Sequence, residues 1–214
     1  MFFKNKKLNK ELDVLLAGKK YDEIIETVKS SSVDAALSEQ TEKRLALTYY
    51  YKQDYENSLN HFQNIADNHA TTENLFNVMT SLLALKDINR AKSVYDTIVK
   101  THRGVGRGKK FVPELTIPYI RYYYASGCAD AGAFEEALAR LDEIKKIYIE
   151  LNITDSTFLY IRGVPFFGSF IQLAQKVFEG QGKDLNTSEF LDELKSGVDS
   201  DGVAIIKELC KTES

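Results

Sequence analysis

One triplet of residues recurs four times along this chain. Tyr21, Ile24 and Val28, then Tyr55, Ser58 and Phe62, then Ile88, Ala91 and Tyr95, and finally Phe134, Ala137 and Leu141 share one internal spacing, three residues and then four. That spacing returns side chains to one face of an α-helix. The middle members are separated by steps of 34 (24 to 58), 33 (58 to 91) and 46 (91 to 137). A recurrence in this range marks a repeat architecture. A single repeat cannot bury its apolar face alone, so it must stack on its neighbours and leave a long concave surface. A binding scaffold is therefore expected before any site is considered.

The bulk numbers agree with this expectation. At 214 residues the chain is one large domain or one small solenoid. It is 43% hydrophobic and 28% charged, the balance of an ordinary globular protein with a core. Only three prolines interrupt an apolar pattern whose period is helical, which favours an all-α fold. A net charge of −3 is too small to make nucleic acid or an anionic membrane the expected partner. Two cysteines, Cys128 and Cys210, make no disulfide framework; reduced thiols and a cytoplasmic location are expected. The start, MFFKNKKLNKELD, lacks a signal-peptide apolar core, and no uncharged apolar run reaches membrane-spanning length.

The second repeat is the clearest. Leu45, Ala46 and Tyr49 fall on its first helix, Asp54 and Tyr55 at the turn, and Ser58, Phe62 and Ile65 on its second. Small residues are wanted where two helices cross closely, here Ala46 and Ser58. The third repeat, about 73–100, has Leu75, Val78, Met79 and Leu82, a turn at Asp87-Ile88, then Ala91, Tyr95 and Ile98. The fourth has Tyr124, Ala125 and Cys128, then AGAFEEALARL with Gly132, Phe134, Ala137 and Leu141. The first is looser: Leu8, Leu12, Leu15 and Leu16, then Lys20-Tyr21, Ile24 and Val28. These positions resemble the tetratricopeptide-repeat family, whose unit is two antiparallel helices and a tight turn, with alanine at position 46 for the family's glycine. The resemblance covers about 1–150 well and 151–180 poorly. It implies a right-handed superhelical stack over 1–180. A non-repetitive helical bundle is the rival.

In a degraded fifth unit, Ile171, Ala174 and Phe178 copy the spacing, but Pro165 must end the preceding helix early. Asn186 followed by Glu189 reads as a helix start, giving a helix over about 187–195, and another is expected near 201–211. Residues 181–214 are thus expected to cap the stack.

The 46-residue step places its extra residues in THRGVGRGKKFVPELTIP, 101–118, a glycine-rich loop with cations Arg103, Arg107, Lys109 and Lys110. It reads as a solvated linker or as a contact to an acidic partner. It is not a P-loop: Arg103 stands where the first glycine belongs, and Lys110 replaces the required Ser or Thr.

In the family the first helices of successive units line the concave face. By that resemblance Asp13, Lys43, Leu47, Tyr50, Phe76, Thr80, Tyr119, Tyr122, Tyr123 and Ser126 fall near it. The partner-binding residues expected are Lys43, Tyr50, Phe76, Tyr119, Tyr122 and Tyr123, with the four loop cations as an electrostatic accessory. Tyrosines combine large contact area with a polar tip. In the run 119–124, Tyr124 is assigned to the core and Tyr122 or Tyr123 to the groove. Leu47, Thr80 and Ser126 depart from the asparagine clamp by which related domains hold acidic chaperone tails. An apolar helix or an extended peptide suits this groove better.

The segment FLYIRGVPFFGSFIQLAQKVF, 158–178, reads as core of the fifth unit or, alternatively, as an exposed apolar end that joins a partner or a second copy. His61, His69 and His102 lack a pattern that would complete a metal site, and no catalytic signature occurs. Asp199-Ser200-Asp201-Gly202 has its glycine too early for a calcium loop and reads as a turn into the last helix. No cofactor, metal or enzymatic role is expected. The expected function is a protein–protein interaction scaffold. The alternatives are a dedicated antagonist or immunity protein that blocks one toxin or enzyme, a self-assembly module and a small-ligand sensor.

Overall fold

The computed structural model describes residues 2–31, 37–102 and 111–210, with side chains from Lys7 onward. The described residues form twelve α-helices and two single-turn 3₁₀ helices, without a strand. In order these are α1 (Phe2–Ala17), α2 (Tyr21–Ser31), α3 (Glu39–Tyr51), α4 (Tyr55–Asn68), α5 (Thr72–Ala84), α6 (Ile88–Thr101), α7 (Ile117–Asp130), α8 (Phe134–Leu151), α9 (Ser156–Arg162), α10 (Phe167–Gly180), α11 (Glu189–Gly197) and α12 (Ser200–Leu209). The 3₁₀ turns are Pro113–Leu115 and Leu185–Thr187. The chain divides into two compact units, Met1–Val94 and Tyr95–Ser214.

Each recurrent triplet begins at the first residue of a helix, and the turn before it has one geometry. Lys19, Gln53, Lys86 and Gly132 adopt left-handed backbone with φ of 55°, 62°, 60° and 80°. The next amide in each case, of Lys20, Asp54, Asp87 or Ala133, donates back to the carbonyl of Leu15, Tyr49, Leu82 or Cys128 at 2.8–2.9 Å. This is the Schellman closure of a helix end, which satisfies carbonyls the helix leaves open. Asp54 and Asp87 then cap the following helices, their carboxylates accepting from the amides of Asn57 and Arg90.

Only one of the four left-handed positions is a glycine, so these turns carry an energetic opportunity. A non-glycine residue there costs about 1–2 kcal/mol, whereas glycine adds about 0.5–1 kcal/mol of unfolded-state entropy. The first term is the larger. Gln53→Gly and Lys86→Gly are therefore each expected to stabilise the protein by about 0.5 kcal/mol, and Gly132→Ala to destabilise it by about 1 kcal/mol. Shifts of the urea midpoint in those directions would verify the turn geometry.

In the first unit α3 and α4 run antiparallel. Glu39 meets His69 at 3.1 Å, Glu42 meets Asn64 at 2.6 Å, and the Tyr50 and Tyr55 rings lie 5.3 Å apart, so one number falls as the other rises. Helices α1 and α3 run parallel, because Asn9 pairs with Thr41 at 3.0 Å and Asp13 with Arg44 at 2.6 Å. Leu12, Ile24, Val28 and Leu45 form the core where α1, α2 and α3 meet, flanked by Leu8, Leu16 and Tyr21. The small residues Ala46 and Ser58 are fully buried, and Ser58 on α4 sits 3.4 Å from Ser81 on α5, hydroxyl to hydroxyl. Small side chains permit that approach.

In the second unit α7 pairs with α8 through Arg121 and Glu143, 2.7 Å apart. Helix α10 packs on both. Pro165 ends the preceding helix early, as expected: α9 has seven residues, closes on left-handed Gly163, and is followed by a short bend into α10. Helix α11 docks on α8, where the buried Lys145 ammonium meets Glu193 at 2.5 Å and Asp142 at 3.2 Å and lies 4.5 Å from the Phe190 ring centre. The expected cap at Asn186 is corrected. Asp184 instead starts the 3₁₀ turn, and Ser188 caps α11 by accepting from the Leu191 amide, so the helix runs to Gly197. Asn186 lies inside the 3₁₀ turn, so the extended backbone that an N-cap requires falls at Ser188 instead. Asp199 turns the chain into α12, accepting from the Gly202 amide at 2.8 Å and from the Thr154 amide and hydroxyl at 2.9 and 2.5 Å. Burial works against these bonds, yet together they hold its carboxyl below the ordinary value.

A tyrosine-lined cleft as the candidate functional site

The second unit carries a cleft of about 230 Å³ built from four separate pieces of chain. Helix α7 supplies Tyr119, Tyr122 and Tyr123. They reach one cleft because positions 119 and 123 are one turn apart and 122 flanks them. The 3₁₀ turn supplies Glu114, α9 supplies Tyr160, and the bend into α10 supplies Pro165 and Phe166, with Ser169 behind.

The walls are tied together at two points. The Thr116 hydroxyl lies 2.5 Å from the Gly163 carbonyl oxygen and 2.7 Å from that of Pro113, its one proton shared between them, which joins the Glu114 turn to the end of α9. Tyr148 on α8 is fully buried and donates its hydroxyl to the Pro165 carbonyl at 2.5 Å, fixing the bend that presents Phe166. Burial pushes the Tyr148 phenol well above its usual range, so it remains a donor.

The rings are arranged edge and face. Tyr119 and Tyr123 lie 6.3 Å apart at 30°, Tyr122 and Tyr123 lie 5.9 Å apart at 71°, and Tyr160 stacks on Phe166 at 6.3 Å and 11°. The outer rings are open to solvent: Tyr123 is 37% exposed, Phe166 43% and Tyr160 44%. Tyr119, by contrast, is buried at 7% and lines the cleft without presenting a free face. The phenols of Tyr119, Tyr122 and Tyr123 are all held above their usual value, first by burial and, for Tyr119 and Tyr123, next by the Glu114 carboxylate. All three hydroxyls therefore stay neutral at physiological pH.

The other expected partner residues lie in the first unit. Lys43 reaches from α3 to Glu73 on α5 as an ion pair. Tyr50 is half-buried, its ring set at 84° to that of Tyr51 and at 66° to that of Tyr55. Phe76 is half-buried on α5. Arg103, Arg107, Lys109 and Lys110 lie outside the described residues. Tyr124 is fully buried and stacks on Tyr95 at 4.4 Å, the core position its register implied.

The phenylalanine-rich segment divides between its two readings. Phe167, Phe170, Ile171, Ala174 and Phe178 are core, whereas Tyr160, Ile161 at 61% and Phe166 are exposed. Of the cleft residues, no sequence pattern marks Glu114, Tyr160 or Ser169. Glu114 sits within a segment that reads as linker, and Tyr160 and Ser169 within one that reads as core or apolar end.

Among the described residues no group of His, Cys, Asp and Glu is placed to hold a metal ion, and no helix is long and apolar enough to cross a membrane. His61 instead stacks on Tyr49 at 5.6 Å, with Glu42 3.5 Å from its ring nitrogen. Compared with protein-family models, curated proteins and solved structures, the chain has no significant match to any of them.

Proposed function

We propose that the chain is a non-catalytic protein–protein interaction module of the tetratricopeptide type, a superhelical stack of helix pairs that holds a peptide or protein partner. The observation that carries this reading is the cleft: four tyrosines and a phenylalanine gathered from α7, α9 and the bend into α10, with three of those rings exposed. Exposed aromatic anchors around a concavity are the usual energetic centre of an interface. The four identical turns at the repeat period support the stacked architecture. Rigid helices and tied walls leave little to order on binding, which lowers the entropy cost.

The test is capture from a native lysate with folded baits. Wild type is compared with Tyr123→Ala/Tyr160→Ala, with Tyr50→Ala/Phe76→Ala, and with the four loop cations changed to serine. The expected outcome is one stoichiometric partner whose retention drops about tenfold or more with the first pair. A partner whose own active site becomes blocked would identify a dedicated antagonist. Absence of any specific partner from a folded bait would overturn the reading.

The exposed Ile161, Tyr160 and Phe166 favour a second reading, self-assembly. Sedimentation would then show mass rising with concentration, abolished by Ile161→Asp. Phe167→Asp would be uninformative there, because Phe167 is core.

A further inference from the structure

The lining of the cleft has a chemical bias that a generic protein contact does not require. Among the described residues its only ionisable group besides the phenols is the carboxylate of Glu114, and no described lysine, arginine or histidine lines it. Glu114 has no cationic partner among the described residues. It is half-buried in the first turn after Pro113, near enough to Tyr119 and Tyr123 to raise both phenols.

Three classes of occupant can be weighed against this lining. An anion would meet the Glu114 charge with no basic group among the described lining residues to offset it. An uncharged apolar group would strip water from the carboxylate and give nothing in return. A cation gains the carboxylate and also the negative faces of the surrounding rings, an attraction that grows as the site is desolvated. Size points to a small head group: pockets that bury drug-sized ligands run about 300–1,000 Å³, and this one is about 230 Å³. A lysine side chain or a quaternary ammonium head fits that space with its alkyl stem leaving through the exposed Tyr123, Tyr160 and Phe166 side.

We propose that the Tyr119–Tyr122–Tyr123–Tyr160–Phe166 cleft is an aromatic cage for an alkylammonium cation, with Glu114 as the counter-charge. The cation belongs either to a lysine of a protein partner, methylated or not, or to a free small molecule. The cage itself does not depend on the scaffold reading; only the assignment to a partner's lysine rests on it.

The experiment is a titration of the full chain followed by NMR shifts and by tyrosine fluorescence. Four probes are used: choline, its uncharged tert-butyl isostere, and the capped amides of lysine and of trimethyllysine. Expected is saturable binding of choline or of a lysine amide, weakened about tenfold or more by replacing the charged nitrogen with carbon. Glu114→Gln and Tyr160→Ala are each expected to weaken it by about the same factor. Tighter binding of a lysine amide assigns the cation to a protein partner, and tighter binding of choline assigns it to a small molecule; both support the cage. Equal binding of choline and its uncharged isostere overturns the proposal, as does failure of every cationic probe to bind folded wild type. Those comparisons use wild type alone, so they decide even if a variant does not fold. The two readings also fail separately. Partner capture that persists without cation binding sinks only the cage, and cation binding without any captured partner sinks only the scaffold.

Discussion

Tyr148→Ala is expected to lower the stability of the second unit by about 3–5 kcal/mol, the range for truncating a fully buried large aromatic. The side chain has no solvent exposure and its ring lies 4.9 Å from those of both Phe167 and Phe170. Its removal would open a cavity between α8 and α10 that rigid helices cannot close. Tyr148→Phe separates the two contributions. It keeps the ring and deletes only the hydroxyl that donates to the Pro165 carbonyl at 2.5 Å. That carbonyl would lose its tyrosine donor at a buried position, at a cost of about 1–3 kcal/mol. Urea unfolding of both variants measures the difference directly. If the phenylalanine variant unfolds with the wild-type midpoint, the hydrogen bond does not hold the bend. The phenylalanine variant should also loosen Phe166, which the bend presents, and so weaken whatever the cleft binds while the helices stay folded.

The second large effect is expected at Gly163. Its backbone is left-handed at φ 66°, where a side chain costs about 1–2 kcal/mol. An added Cβ would also fall 2.3 Å from the Thr116 methyl and 2.8 Å from the Thr116 hydroxyl oxygen. Thr116 has little freedom to withdraw, because that same hydroxyl donates to the Gly163 carbonyl. Overpacking of this kind adds about 1–3 kcal/mol. Gly163→Ala should thus destabilise by about 2–5 kcal/mol in all. Thr116→Ser in the same background removes the methyl and should recover part of the collision but none of the backbone cost. A double-mutant cycle with a coupling of about 1 kcal/mol or more would establish the contact. The substitution separates the Glu114 turn from the end of α9, so it should also erase the cleft.

The contrast between Gly163 and the repeat turns illustrates what a sequence can display. At Gln53 and Lys86 the left-handed turn residue is not glycine, so nothing in composition marks it. The turns are nevertheless legible to within one or two residues, because the triplets that start at Tyr21, Tyr55, Ile88 and Phe134 fix where each helix must begin. Helix faces are periodic and local, and a period survives substitution of individual residues. At Asn186 the same local reasoning misplaced a helix start by a few residues, because Ser188 competes for the cap and the 3₁₀ turn precedes it.

The helical class, the positions of the repeat turns, the interruption at Pro165 and the burial of Tyr124 are all legible along the chain. Each of these follows from side chains spaced within one helix, or from the fixed geometry of proline. The cleft was decided only in three dimensions. Register marks Tyr119, Tyr122 and Tyr123, but nothing in the chain order joins them to Glu114, Tyr160, Phe166 and Ser169. They meet because α10 packs on α7 and α8, and because Thr116 and Tyr148 tie the intervening turns to that packing. Contacts between separate segments of the chain have no period to betray them. Their energies depend on the fit of particular side chains, a property that exists only after the helices have docked.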